Sequence, residues 1–270
     1  MTTPPSNYTT TKLLSDKAEI QRYLETDRNY AAYALGDLDE GFFEKCTWRV
    51  AEENDVIRAL ALEYVGFAPP ILFLMGAGDG VAALLAGPTQ LDRVFVTARE
   101  EHLSTLSRFY RWDELEHMWR MVLRGPEGVS GEPQVRAPVR YCKRLGMDDM
   151  DRLSVLYSLG GGDAFSPTQM MQGVFYGVEQ AGQLVSVAGT HLVSDRYSVG
   201  AIGNVMTHPD HHSHGYATLT THAVCAELIR RGIQTIVLNV RQDNAPAIRV
   251  YEKLGFVRYC PFYEGVIERR

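Results

Sequence analysis

The sequence has no long apolar run, no basic stripe and no close pair of cysteines, and each absence removes a class of protein. Its most apolar stretch, Tyr64 to Gly78, is about 15 residues long and is interrupted by Pro69 and Pro70. That falls short of the roughly 20 residues a membrane-spanning helix needs, so no membrane partner is expected. The opening residues, MTTPPSNYTTTKLL, carry neither the basic segment nor the apolar core of a secretory signal, so a cytoplasmic location is expected. Cys46, Cys142, Cys225 and Cys260 are widely spaced, which suits reduced thiols better than a disulfide frame or a zinc site. Lys and Arg (27) are outnumbered by Asp and Glu (33) and gather nowhere, which argues against a nucleic-acid partner.

What is present is the composition of a globular chain: 270 residues, 45% hydrophobic and 22% charged, enough for one large or two modest domains. The acidic excess lies in residues 1–130, whereas 131–270 are close to neutral. Such a field could draw a cationic acceptor, although ordinary solubility explains it as well. Four of the 8 histidines cluster at His208, His211, His212 and His214. Arg124 to Pro138 is rich in Gly and Pro without apolar period and reads as a linker. A boundary near Gly131 then gives domains 1–130 and 131–270.

The first of these reads as mixed α and β. Ser15 is placed to cap a helix starting at Asp16, with Ile20 and Leu24 on its inner face. Val56–Val65, Ile71–Met75, Val94–Thr97 and Trp119–Leu123 read as strands, and Val81–Ala86 and Glu100–Phe109 as helices. In the second, strands are expected at Val139–Leu145, Val174–Glu179, Leu184–Val193, Tyr197–Thr207, Thr235–Val240 and from Phe256 onward. Helices are expected at Asp148–Ser158, after Ser166-Pro167, at Tyr216–Arg231 ending on Gly232, and at Asn244–Leu254. The class is therefore α/β with a mixed sheet.

Two motifs carry chemistry. The first is a strand ending at Pro209, a loop, Gly215 and then a helix. This arrangement points free N–H groups and the positive end of a helix dipole at an anion. A loop that merely needs a glycine turn would look the same. The second is Asn239 to Phe256, where Asn244 can cap a helix with Pro246 in its first turn, and Tyr251 lies two turns along the same face. A capped helix with a core tyrosine is the plainer alternative.

In this order and spacing, the pair resembles the GCN5-related N-acetyltransferase (GNAT) family. The family's pyrophosphate loop, Gln/Arg-x-x-Gly-x-Gly/Ala, corresponds to His212-Ser213-His214-Gly215-Tyr216-Ala217. Its later pattern, Asn-x-x-Ala-x-x-x-Tyr-x-x-x-Gly-Phe, corresponds to Asn244, Ala247, Tyr251, Gly255 and Phe256. Two positions depart from it: His212 replaces Gln or Arg, and Ser213 replaces the first Gly. The loop is thereby less cationic and less flexible. The resemblance covers 139–270, about half the chain. It implies a GNAT acyltransferase fold there, with 1–130 as a second, degenerate GNAT-like domain.

The resemblance implies an N-acetyltransferase that moves an acyl group from acetyl-CoA, or another acyl-CoA cosubstrate, to a small-molecule amine by direct attack in a ternary complex. The implied coenzyme-binding residues are Val205, Met206, Thr207, His212, Ser213, His214, Gly215, Tyr216, Ala217, Asn239, Asn244 and Ala247. Tyr251 is the implied donor to the departing thiolate, a phenol of ordinary pKa about 10 facing a thiolate whose conjugate acid lies near 8.5. His191, mid-strand in VSVAGTHLVS, is the candidate base, because imidazole accepts protons at neutral pH. Glu179 and Asp195 are alternatives. Asn204 can steer an amine or a water but is no base. Imidazoles at 212 and 214 facing a pyrophosphate would bind it better when protonated. The histidine cluster would also suit zinc or nickel, but it lacks a carboxylate or cysteine framework, so no metal is expected. A homodimer is the candidate assembly. The competing readings are a non-catalytic coenzyme A-binding sensor or interaction protein, and O- or S-acyl transfer at the same site.

Overall fold

The computed structural model describes residues 10–87, 91–125, 129, 142–160 and 165–270. They fall into two compact units, Met1–Trp119 with Cys260–Arg270, and Arg120–Tyr259.

The first unit begins with β1 (Thr10–Leu13) and α1 (Lys17–Leu24). Asp16, not Ser15, caps α1: its carboxylate accepts from the N–H groups of Ala18 (2.8 Å) and Glu19 (3.1 Å). An ionised cap also gains from the positive helix end, which favours Asp over Ser. After the short α2 (Ala32–Gly36) come β2 (Cys46–Glu53), β3 (Val56–Tyr64), β4 (Ile71–Gly76), α3 (Gly78–Ala86), β5 (Arg93–Ala98), α4 (Glu100–Phe109), β6 (Tyr110–Arg111) and the start of β7 (Glu116–Leu123). The sheet order is β1-β2-β3-β4-β5, antiparallel except for the parallel pair β4–β5 that α3 connects. Strands β4 and β5 are almost unbroken apolar runs because helices pack on them. Leu72, Leu74, Val94 and Val96 are buried in one core with Val81 and Leu84 of α3 and Leu106 of α4.

The second unit contains β8 (Cys142–Arg144), α5 (Met150–Tyr157), α6 (Pro167–Gln172), β9 (Tyr176–Gln180), β10 (Gln183–Ser194), β11 (Val199–Thr207), α7 (Tyr216–Arg230), β12 (Thr235–Arg241), α8 (Ala245–Lys253) and the first residues of β13 (Phe256–Arg269). Strands β8 to β11 form an antiparallel meander, and β12 joins β11 in parallel through α7. Leu153 and Leu156 of α5 and Met170 of α6 pack on Phe175, Leu184 and Val187.

The two units repeat one order. An antiparallel pair is followed by a parallel pair with a helix crossover: β3-β4-α3-β5 in the first, β10-β11-α7-β12 in the second. In both, the parallel ladder stops before the leading strand does. β4 pairs with β5 from Ile71 to Phe73 but runs to Gly76, and β11 pairs with β12 from Val199 to Ile202 but runs to Thr207.

The division differs from the expected one at Gly131, a residue outside those described. From Tyr263 to Glu268 the last strand pairs antiparallel with Ala98 to Arg93 of β5, and Ile267 is buried in the first unit's core. The expected strand from Val139 begins, among the described residues, at Cys142. The expected helix at Asp148 starts at Met150, after a turn of tighter helix over Met147–Asp149.

Candidate active site

Two irregularities place the central side chains. Between the pairs Val187–Met206 and Gly189–Gly203, β11 contains one residue more than β10, and there Asn204 takes φ 53°. Between Thr190–Ile202 and Leu192–Ala201 the excess is on β10, and the additional residue is His191. Simple alternation, which set His191 on the face of Val187 and Val193, is interrupted by this bulge. Bulges re-aim side chains and cluster beside active sites. The His191 ring is turned onto Gly203, where a Cβ would lie 2.1 Å from Nε2.

Beyond the Ile202–Leu238 pair the facing edges of β11 and β12 part, leaving Val205, Met206 and Thr207 on an open strand end. The side chains there are committed elsewhere. Met206 packs against the core of Leu145, Leu153 and Leu156, and Thr207 Oγ1 is 2.8 Å from Ser186 Oγ. What these residues can offer a ligand is main chain. Asn239 lies just past the last residue of β12 that pairs with β11 and is half-buried.

The loop from His208 to Gly215 is held by its own histidines. The His212 Nε2–H donates to the Thr207 carbonyl (2.9 Å), and the His214 Nδ1–H donates to that of His211 (3.2 Å). His208 Nδ1 accepts from the Asp210 N–H at 3.2 Å. A ring nitrogen facing a carbonyl must carry a proton, which fixes these tautomers. The rings at 212 and 214 thus brace the loop with one nitrogen each and keep one for a ligand. His214 also stacks on Tyr216, centroids 5.6 Å apart.

Ser213 sits at φ 65° and Gly215 at φ 84°. The left-handed region is free to glycine but costs other residues about 1 kcal/mol. Gly215 supplies the first glycine of the family pattern and Ser213 stands at one of its variable places, where it holds a glycine-like conformation at some cost. The first helical bond of α7 runs from the Leu219 N–H to the Gly215 carbonyl (3.0 Å). The N–H groups of Tyr216, Ala217 and Thr218 precede it and have no acceptor within the helix. Tyr216 contributes only this group, because its ring is buried with Val178 and Val185. These donors, at the positive end of a helix of 15 residues, suit a diphosphate.

Asn244 is exposed and caps α8, its Oδ1 accepting from the Ala247 N–H at 3.1 Å, so only its Nδ2 remains for a ligand. Two turns on, Tyr251 is 7% exposed, with Phe256 edge-on at 6.1 Å between centroids. Burial, with a smaller contribution from the neighbouring Cys225, pushes its phenol up to about 12. The other proposed bases are paired at the surface. Glu179 meets Lys143 (2.5 Å) and Arg152 (2.8 Å), which hold its carboxyl below the usual range, and Asp195 meets Arg231 (2.5 Å). Among the described residues no group of three or more His, Cys, Asp or Glu is placed to hold a metal ion. Sequence reasoning missed Tyr157, Gln169 and Gly203. Only the glycine gave a local signal, a small residue in an apolar strand.

Residues 153–256 match the model of the acetyltransferase (GNAT) family, so the chain carries a GNAT domain there. It is 32% identical over 92 residues to the [ribosomal protein bS18]-alanine N-acetyltransferase of Escherichia coli K12, spanning 34% of this chain and 60% of that enzyme. It is 43% identical over 58 residues to the mycothiol acetyltransferase of Saccharomonospora viridis, covering 22% and 19% of the two chains. In three dimensions it resembles a tandem GNAT protein from the clavulanic acid biosynthesis pathway, with a TM-score of 0.62 at 14% identity, over 96% of this chain and 98% of that one. At that identity the likeness concerns the fold, and it extends over both units.

Proposed function

We propose that the chain is an acyl-CoA-dependent N-acyltransferase, with acetyl-CoA as donor and a small-molecule amine as acceptor, and that the unit Arg120–Tyr259 carries the chemistry. The observation that carries this reading is one conjunction. A strand fork at Ile202/Leu238 leads into a helix start with free N–H groups, and the buried phenol of Tyr251 follows in the family's register.

An acyl-coenzyme A supplies a thioester carbonyl. The open edge at Val205–Thr207 and the N–H groups of Tyr216, Ala217 and Thr218 would hold it, with the spare nitrogens of His212 and His214 and the Nδ2 of Asn244 at its periphery. The amine must arrive neutral. Its nitrogen lone pair forms the C–N bond, the C–S bond breaks, and one amine proton leaves to a base, for which His191 in its bulge is the candidate. A phenol raised to about 12 stays protonated at neutral pH and donates to the developing thiolate. Full transfer to a thiolate whose conjugate acid lies near 8.5 is uphill, so Tyr251 stabilises the leaving charge and the amine's proton balances it.

The test is release of free coenzyme A thiol from acetyl-CoA in the presence of a panel of primary amines, with N-acetylated product identified by mass. Turnover with at least one amine is expected. Clear coenzyme binding with no thiol from any amine would support the sensor reading instead.

A further inference from the structure

Asn204 is 6% exposed at the point where β11 parts from β12, and its carboxamide can point only one way. The N–H of Ser166 donates to Gln169 at 3.1 Å, closing the capping box of α6, so the atom it meets is Oε1. The Asn204 atom 3.2 Å from that same oxygen must then be a donor, Nδ2. This leaves Oδ1 as the second atom of the carboxamide, buried and without a hydrogen-bond partner among the described residues. The residue is clasped from the other helix too, because the Tyr157 hydroxyl donates to its main-chain carbonyl at 2.8 Å. A buried carbonyl oxygen is costly to leave unsatisfied, so one held rigidly in that condition calls for a donor from outside.

We propose that Oδ1 of Asn204 accepts an N–H of the incoming amine and makes the site selective for primary amines. The inference rests on the acyl-transfer reading above. An attacking amine uses its lone pair and surrenders one proton. A primary amine keeps a second N–H for Oδ1 throughout, whereas an N-methyl amine has one N–H and cannot both donate it and lose it. A neutral oxygen also accepts from a free amine as well as from an ammonium, so it holds the nucleophile in its reactive state. Sites built to hydrogen-bond a substrate group reject the analogue lacking it strongly, because their own polar atom is then unpaired. Asn204 is a positioning residue in this scheme and performs no proton transfer.

Asn204→Gly removes the carboxamide without straining a φ of 53°. The substrates are matched pairs: benzylamine and N-methylbenzylamine, glycinamide and sarcosinamide, putrescine and N-methylputrescine. In the native chain kcat/KM should favour the primary member at least about tenfold. In the variant that ratio should fall to within about threefold through a raised amine KM, while the KM for acetyl-CoA stays within about twofold. An unchanged ratio overturns the proposal. A second measurement needs no turnover: the side-chain amide resonances of Asn204 in the native chain loaded with coenzyme A. They should shift when each primary amine is added. If they shift so while no thiol is ever released, the acyl-transfer reading falls and the Asn204 assignment stands. If no primary amine shifts them, the assignment falls whatever the turnover.

Discussion

The tip of the His191 imidazole lies over Gly203, one strand away, where even a methyl group would meet Nε2 at 2.1 Å. A bulge puts the histidine there and the absence of a side chain makes room for it. Because the obstructing atom is the tip of a ring and not backbone, Gly203→Ala should swing the imidazole aside and leave the sheet intact. The expected result is a fall in kcat of about tenfold or more with the coenzyme dissociation constant unchanged. Equal kcat in the two proteins would remove His191 from the candidate bases.

Tyr251→Phe keeps the ring that packs on Phe256 and removes only the hydroxyl. Coenzyme affinity and thermal midpoint should change little, whereas kcat should drop by about 100-fold, the usual range for loss of a positioned donor to a leaving group. Rapid-mixing measurement of thiol release isolates that step from product departure.

The rings of His212 and His214 each use one nitrogen to brace the loop and hold one in reserve. If those nitrogens meet the coenzyme's phosphates, His212→Arg, with a fixed positive charge, should tighten coenzyme binding, and His214→Ala should weaken it. Calorimetric titration of the native chain and both variants decides it, and affinities unchanged in both variants would exclude the role.

In the first unit, Asp37 has its carboxyl pushed up by burial to about 7. The folded state then retains a proton that the unfolded chain has given up above about 4. Stability contributed by this group is therefore present at low pH and lost as pH rises through about 7. Asp37→Asn should raise stability at pH 8 by up to roughly 4 kcal/mol and have little effect near pH 4. Urea unfolding followed by tryptophan emission measures it selectively, since Trp48, Trp112 and Trp119 all belong to this unit.

Much of the second unit was legible because its signals are local. Asn244 with Pro246, Ser166-Pro167, and Gly215 before an amphipathic run each mark a helix start through chemistry of adjacent residues. The first unit hid β2 because it does not alternate. Val50, Ala51 and Glu52 are all buried in succession, the glutamate paired with Lys12 at 2.8 Å. Within the site, the glycine-like turn at Ser213 and the fork at Ile202 belong to register and backbone angle, which no single residue type announces. The environment of Asn204 was invisible for the same reason: Tyr157 and Gln169 reach it from elements 35 and more residues away.

The pairing of Tyr263–Glu268 with β5 also has a bearing on how the chain is made. Domains generally fold in the order of their synthesis, the N-terminal one first. Here the edge of the first unit's sheet is closed by Tyr263–Glu268, which follow the whole second unit in sequence, so the first unit completes its core only after the second has been translated. Until then β5 has an unpaired apolar edge, the kind of template on which foreign strands add.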